Sequence, residues 1–191
     1  MRVRFLHEVP NKMKVIFLDI DGVLNSTRSY LGGKARHRKT DEDIVDHVKH
    51  DIDPVAIDLI NFLRRYTDAE IVVSSSHRLD FQWDGNTRGL DSYMRTLGID
   101  PILDATAYLP NCMRGEEIEL WLREHPEVTR YVIIDDSGDM LPGQMDSFVQ
   151  TDPSVGFTDK DFYKATRILG CEHEEDSSYD YTSLRFNVGP C

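Results

Sequence analysis

The 191-residue chain carries 34 acidic against 22 basic side chains, a formal net charge of −12, and 40% of its residues are hydrophobic. That length suits one core-forming domain rather than two, and the acidic balance excludes binding to long polyanions by bulk charge. No stretch approaches the ~20 apolar residues of a membrane span, Met1 to Lys14 lacks the apolar centre of a signal peptide, and Cys112, Cys171 and Cys191 are too scattered for a zinc site or a disulfide framework, so a cytoplasmic protein is expected.

Residues 1–13 leave two readings open, an edge strand over Arg2–Leu6 that Pro10 interrupts or a loose arm. Next comes Lys14-Val15-Ile16-Phe17-Leu18, an apolar run that reads as a strand buried on both faces. It ends in Asp19-Ile20-Asp21-Gly22-Val23-Leu24-Asn25. Positions i and i+2 of a strand point the same way, so Asp19 and Asp21 can share one crevice. Open parallel sheets place ligands at that carboxyl edge. The segment 26–53 is polar, contains Gly32-Gly33 and gathers Arg28, Lys34, Arg36, His37, Arg38 and Lys39. It is either a solvated excursion or a flap whose cations meet substrate phosphates.

Asp53-Pro54 is a helix start, an N-cap followed by proline at the first helical position. Val55, Leu59, Phe62, Leu63 and Tyr66 then mark one face at helical spacing. Glu70-Ile71-Val72-Val73 predicts a second strand, ending in Ser74-Ser75-Ser76-His77-Arg78. A loop from Leu79 to Gly89 carries Phe81, Trp83 and Arg88, and a short helix over 90–97 stops at Gly98. Residues 101–105 predict a third strand. Gly115 to His125 reads as a helix with Ile118, Trp121 and Leu122 inward and Pro126 just beyond it. Arg130 to Ile134 is another buried strand, again ending in paired carboxylates, Asp135-Asp136. A short strand over 147–150 and a helix entered at Thr158 and stopped by Gly170 close the pattern, with Phe162, Ala165, Ile168 and Leu169 on the helix's apolar face. The remainder, 171–191, is an acidic and then aromatic tail.

Strands alternating with helices predict an α/β fold, a doubly wound parallel sheet with helices on both faces. The whole chain, 1–191, reads as one domain with its core over about 14–170. Its strand ends carry Asp19 and Asp21, a serine cluster, and Asp135 and Asp136. Four converging carboxylates cannot all stay ionised without a cation, and oxygen ligands of this kind suit Mg²⁺. The spacing therefore points to metal-assisted phosphoryl chemistry.

The stretch Asp19-Ile20-Asp21-Gly22-Val23-Leu24, with Asp135-Asp136 after a later apolar strand, resembles the first and fourth motifs of the haloacid dehalogenase (HAD) superfamily of phosphohydrolases. The resemblance spans about 14–170. It implies Asp19 as the nucleophile that forms an aspartyl-phosphate and Asp21 as the general acid and base. It places Ser75 or Ser74 as the phosphate-binding hydroxyl of the second motif and Arg114, at a helix start, as the cation of the third. Ser-Ser-His-Arg at 75–78 resembles the Ser-Ser-Trp-Arg of some small members, with His77 in place of the Trp. The implied Mg²⁺ is held by Asp19, Asp135, Asp136 and the backbone carbonyl of Asp21, with Asp139 as an outer partner.

The stretch from Arg130 to Leu169 further resembles small HAD proteins linked to RNA repair and, more distantly, the phosphatase domains of phage polynucleotide kinase–phosphatases. Neither gap between motifs has room for a large cap domain, so the site is open to bulky substrates. Phe81 and Trp83 either stack a base or pack in the core. With Arg28, Arg36, Arg38 and Arg78 they favour a nucleotide or a nucleic-acid 3′-phosphate end as substrate. A nucleotidase-type phosphatase unrelated to nucleic acid, and a HAD-fold binding module without turnover, are the alternatives.

Overall fold

The computed structural model describes residues 12–36, 51–79 and 88–171. Among these residues five strands form one parallel sheet: β1 (Met13–Leu18), β2 (Ala69–Val73), β3 (Asp104–Ala105), β4 (Val128–Asp135) and β5 (Phe148–Gln150), in the order β3-β2-β1-β4-β5. The helices are α1 (Thr27–Arg36), α2 (Pro54–Thr67), α3 (Arg88–Leu97), α4 (Arg114–Glu124) and α5 (Asp159–Ile168), with a 3₁₀ turn at Pro142–Ser147. The chain first builds outward from β1 to β2 and β3, then crosses to β4 on the other side of β1. That reversal makes the carboxyl end of β1 the switch point where doubly wound sheets bind ligands.

Strand alternation divides the core into two layers. Ile16 and Leu18 of β1 pack with Ile57, Ile60 and Leu63 of α2, Leu90 and Met94 of α3, and Phe162 and Ala165 of α5. Val15 and Phe17 face the opposite side, where Ile118 and Trp121 of α4 pack with Met140 and Phe148. The Trp121 ring meets Phe17 edge-on at a centroid distance of 5.4 Å. Helices thus cover both faces, as the apolar runs require, and no large cap domain is built on the sheet among the described residues. No helix among the described residues is long and apolar enough to cross a membrane.

Three local expectations are corrected. Helix α2 starts as its N-cap demands, with the Asp53 carboxylate accepting from the Val55 N–H at 2.9 Å. Its buried face, however, is Ala56, Ile57, Ile60 and Leu63, while Val55, Phe62 and Tyr66 stay exposed. The helix carries two apolar stripes. The aliphatic one packs on the sheet, and the aromatic one turns to α5, where Phe62 stacks on Phe162 at 5.3 Å. Within 26–53 the polar segment begins with α1, despite Gly32-Gly33. Ser26 and Ser29 cap it reciprocally, N–H to hydroxyl in both directions, and the Thr27 and Arg28 N–H groups bond to the Pro153 and Ser154 carbonyls. Over 101–105 only Asp104–Ala105 pairs as strand.

Candidate active site

The sheet register assembles the site. Leu18 of β1 is level with Val73 of β2 and with Ile134 of β4. One step further along each strand therefore sets Asp19, Ser74 and Asp135 abreast, and the ladder continues there: Ser74 N–H donates to Leu18 O at 2.8 Å and Asp19 N–H to Ile134 O at 3.0 Å. By strand parity all three belong to the side that α4 covers. The first residue of that helix, Arg114, reaches over them. Its Nη1 lies 3.7 Å from Asp19 Oδ1 and its Nε 3.6 Å from Asp135 Oδ2, and Nη1 also donates to the Ser74 carbonyl.

Arg114 is fixed by what surrounds the start of α4. Asp139 accepts from the Arg114 N–H at 3.0 Å, which with other hydrogen bonds holds the Asp139 carboxyl below its ordinary value despite burial. Buried Gln144 donates to the Gly115 carbonyl at 2.8 Å and accepts from the Leu141 N–H at 3.0 Å. The loop after β4 thereby sets the position of α4 and its arginine.

Asp19 and Asp21 have opposite environments. Asp19 is on the floor of the crevice, 6% exposed in its side chain, and Asp21 is at the mouth, 58% exposed. Burial raises the Asp19 carboxyl above its ordinary value, against the opposing pull of Arg114 and of a hydrogen bond from Ser75. Asp21 is lowered, chiefly by its hydrogen bond with His77 and further by Asn25. The Asn25 Nδ2 donates to Asp21 Oδ1 at 2.7 Å, and His77 Nε2 lies 3.1 Å from Asp21 Oδ2.

Between β1 and α1 the chain turns on Gly22, where the Ile20 carbonyl accepts from the Leu24 N–H at 2.9 Å. Gly22 has φ +68°, and a Cβ there would lie 2.5 Å from Asp136 Cγ and 2.7 Å from Asp136 Cβ. Glycine is needed for the left-handed backbone and equally for the approach of Asp136. The Asn25 carboxamide oxygen accepts from the Gly22 N–H at 2.8 Å and buried Thr151 donates to the Gly22 carbonyl at 2.9 Å. The turn is held from both ends.

Residues 15–162 match the family described as the HAD domain in Swiss Army Knife RNA repair proteins. The chain belongs to that HAD domain family. No curated protein and no solved structure matches it. Membership makes it one of the HAD-family phosphohydrolases and agrees with the parallel sheet of order β3-β2-β1-β4-β5.

The HAD domain's acidic residues suit a hard divalent cation. Asp19, Asp135 and Asp136 each offer one carboxylate oxygen, all within 4.8 Å of one another. The Asp135 carboxyl is pushed up to about 7 by burial and by the neighbouring Asp19 charge. Its Oδ2 is buried with no hydrogen-bond partner among the described residues. Oxygen donors, an excess of negative charge and a buried carboxylate oxygen that accepts no hydrogen bond are the features that Mg²⁺ complements. The Asp21 carboxylate is not in this cluster.

The other expected site residues divide sharply. The Ser75 hydroxyl bonds to Asp19, whereas the buried Ser74 hydroxyl has no hydrogen-bond partner among the described residues. Arg78 does not face a substrate as expected. It is 2% exposed, bonded to the Ser75 carbonyl and paired with Glu117, whose other carboxylate oxygen accepts from the Leu109 N–H at 2.9 Å. A buried guanidinium requires such a partner, and this one ties the end of β2 to α4. Arg28 pairs with Asp53 at 2.7 Å. Arg36 ends α1, with its side chain outside the described residues, where Arg38, Phe81 and Trp83 also lie. Asn25, His77, Glu117, Gln144 and Thr151 were given no role by the sequence reasoning. Two of them had a visible signal: Asn25 directly follows the first motif, four residues after Asp21, and His77 stands in place of the Trp after the serine cluster.

Proposed function

We propose that the chain is a Mg²⁺-assisted phosphomonoester hydrolase that works through an aspartyl-phosphate on Asp19, and that its substrate is a nucleic-acid 3′-phosphate end or a nucleotide. The observation that carries this reading is the convergence of Asp19, Asp135, Asp136 and Arg114 at the carboxyl edge of the sheet, with Asp21 separately held at the mouth. A binding module has no need of a buried carboxylate under an arginine together with a second carboxylate reserved beside it.

The Asp19 carboxylate attacks phosphorus from the floor of the crevice. As the phosphorus–oxygen bond to the leaving group breaks, Asp21 gives its proton to the departing oxygen. Its carboxyl is held low in the free protein, and the negative charge of the arriving phosphate raises its proton affinity for that step. Asp21, then ionised, takes a proton from water, which attacks phosphorus, releases phosphate and frees Asp19. Arg114 and the hydroxyls of Ser74 and Ser75 hold the phosphoryl oxygens. A Mg²⁺ bound by Asp19, Asp135, Asp136 and the Asp21 carbonyl would supply charge neutralisation to those oxygens.

The substrate class is supported by the RNA-repair description of the family and by a site without a large cap, which admits a chain end. The acidic total disfavours long tracks on a polyanion, but a terminal phosphate needs only local contacts. The test is phosphate release, with and without Mg²⁺, over 3′- and 5′-phosphorylated oligonucleotides, nucleoside monophosphates, sugar phosphates and a phosphopeptide. Preference for 3′-phosphorylated oligonucleotides supports the reading. Preference for mononucleotides makes the protein a nucleotidase, and Mg²⁺ binding without turnover on any of them makes it a binding module.

A further inference from the structure

We propose that His77 is a positioning residue which, together with Asn25, clamps the Asp21 carboxylate at the mouth of the site and keeps it out of the acidic cluster, aimed at the leaving oxygen. The inference rests on the reading of Asp21 as the proton-transfer group and goes beyond it by naming what places that group. Both carboxylate oxygens are engaged, one from each side: Oδ1 by Asn25 at 2.7 Å and Oδ2 by His77 at 3.1 Å.

An exposed carboxylate with one flexible partner gains little fixed geometry, because long surface side chains give up rotamer freedom to pair. Here both partners are themselves anchored. The Asn25 side chain spends its oxygen on the Gly22 N–H, inside the turn that carries Asp21. The His77 N–H donates to the Ser75 hydroxyl at 3.4 Å, and its ring lies nearly parallel to Tyr93 of α3, with centroids 6.3 Å apart and planes at 14°. The clamp therefore joins the end of β2 to the turn after β1. Without it, Asp21, two residues from Asp19, is free to turn into the cluster that Asp19, Asp135 and Asp136 form. A fourth carboxylate would be gained there and a proton donor lost at the mouth.

The test compares wild type, H77A, H77Q, N25A and D21N on two substrates. 4-Nitrophenyl phosphate expels a stable anion that needs no proton. A nucleoside 3′-monophosphate expels an alkoxide that does. With the clamp removed in H77A, kcat/KM, which reports the steps through expulsion of the leaving group, is expected to fall about tenfold further on the 3′-monophosphate than on 4-nitrophenyl phosphate, since misplaced general acids lose part of their ~10²–10⁴-fold contribution. H77Q, whose amide reaches about as far as Nε2, recovers most of that difference, and N25A reproduces the H77A pattern.

A common fall in kcat reports the shared step in which Asp21 activates water, whereas a role in folding alone would lower kcat/KM on both substrates in parallel, and such a parallel fall overturns the proposal. So does a crystal structure of H77A with the Asp21 carboxylate unmoved. A differential loss in D21N without one in H77A or N25A overturns the clamp and leaves the proposed function standing. Absence of a differential loss in D21N, or a wild type inactive on both substrates, overturns the assignment of Asp21 and the clamp with it.

Discussion

Replacing Gly22 with alanine tests the close packing of the first and fourth motifs. Alanine adds one methyl group to a residue at φ +68°, where that methyl would lie 2.5 Å from Asp136 Cγ and 2.7 Å from Asp136 Cβ. Left-handed backbone costs a non-glycine residue about 1–2 kcal/mol, and forcing a methyl into occupied space about 1–3 kcal/mol. The sum, about 2–5 kcal/mol, lowers the melting temperature of a domain this size by about 5–15 °C. If Asp136 swings away to relieve the contact, the steric part shrinks and Mg²⁺ affinity falls instead. Thermal denaturation and isothermal titration with Mg²⁺ on G22A therefore read two halves of one quantity. G22N separates them, because asparagine tolerates the left-handed region yet keeps the added Cβ. It is expected to recover part of the stability and none of the Mg²⁺ affinity. A G22A protein that melts with wild type and binds Mg²⁺ equally well would refute the packing argument.

Asp135 predicts a pH dependence for the metal-free protein. Its carboxyl, raised from 3.8 to about 7, binds a proton in the folded chain that it has lost in the unfolded chain. Stability present below about pH 4 is therefore lost as the pH rises through about 7, by up to about 4 kcal/mol for a shift of roughly three units. Urea denaturation of wild type and D135N should diverge over that window, with D135N the more stable at its upper end and Mg²⁺ closing the gap for wild type; parallel curves would contradict the burial of a charged cluster. Removing the partner of buried Arg78 in E117A should cost about 3–5 kcal/mol by chemical denaturation. A loss below about 1 kcal/mol would show that water reaches the guanidinium. Removing Arg114, the cation over Asp19 and Asp135, should lower kcat by about 10²–10³-fold in R114A, as the loss of a transition-state charge partner does. An unchanged kcat would exclude it from the phosphoryl pocket.

The fold was legible because its signals are long-range and redundant. Apolar runs of three or four residues at 15–18, 71–73 and 132–134 each end in polar residues, and only a parallel sheet buries such runs on both faces. The face expected for α2 mixes two stripes: Leu59 and Leu63 do meet the core, whereas Val55, Phe62 and Tyr66 stay exposed, because periodicity does not say which neighbour each stripe meets. Helix α1 was hidden by Gly32-Gly33. Its capping hydroxyls, Ser26 and Ser29, lack the acidic residue that marks the usual N-terminal box.

At the site, Asp19 and Asp135 were legible because each follows an apolar strand beside a second carboxylate, whereas Arg114 had only its place at a helix start, and its position over Asp19 and Asp135 exists only in the folded chain. Arg78 misled for a physical reason. An arginine beside a phosphate motif and an arginine that buttresses it have the same sequence context, and the partner that distinguishes them, Glu117, is 39 residues away. His77 and Asn25 show the same limit, since their convergence on Asp21 exists only once β2 lies beside β1.

The central claim is that Asp19 carries the phosphoryl group. Mixing the protein with Mg²⁺ and a substrate bearing radiolabelled phosphate, then quenching in acid within a turnover, tests it directly. Label is expected on the peptide containing Asp19, released by hydroxylamine and absent from D19N, which should also lose turnover by orders of magnitude while remaining folded. Rapid turnover in D19N, or label on another residue, would contradict it.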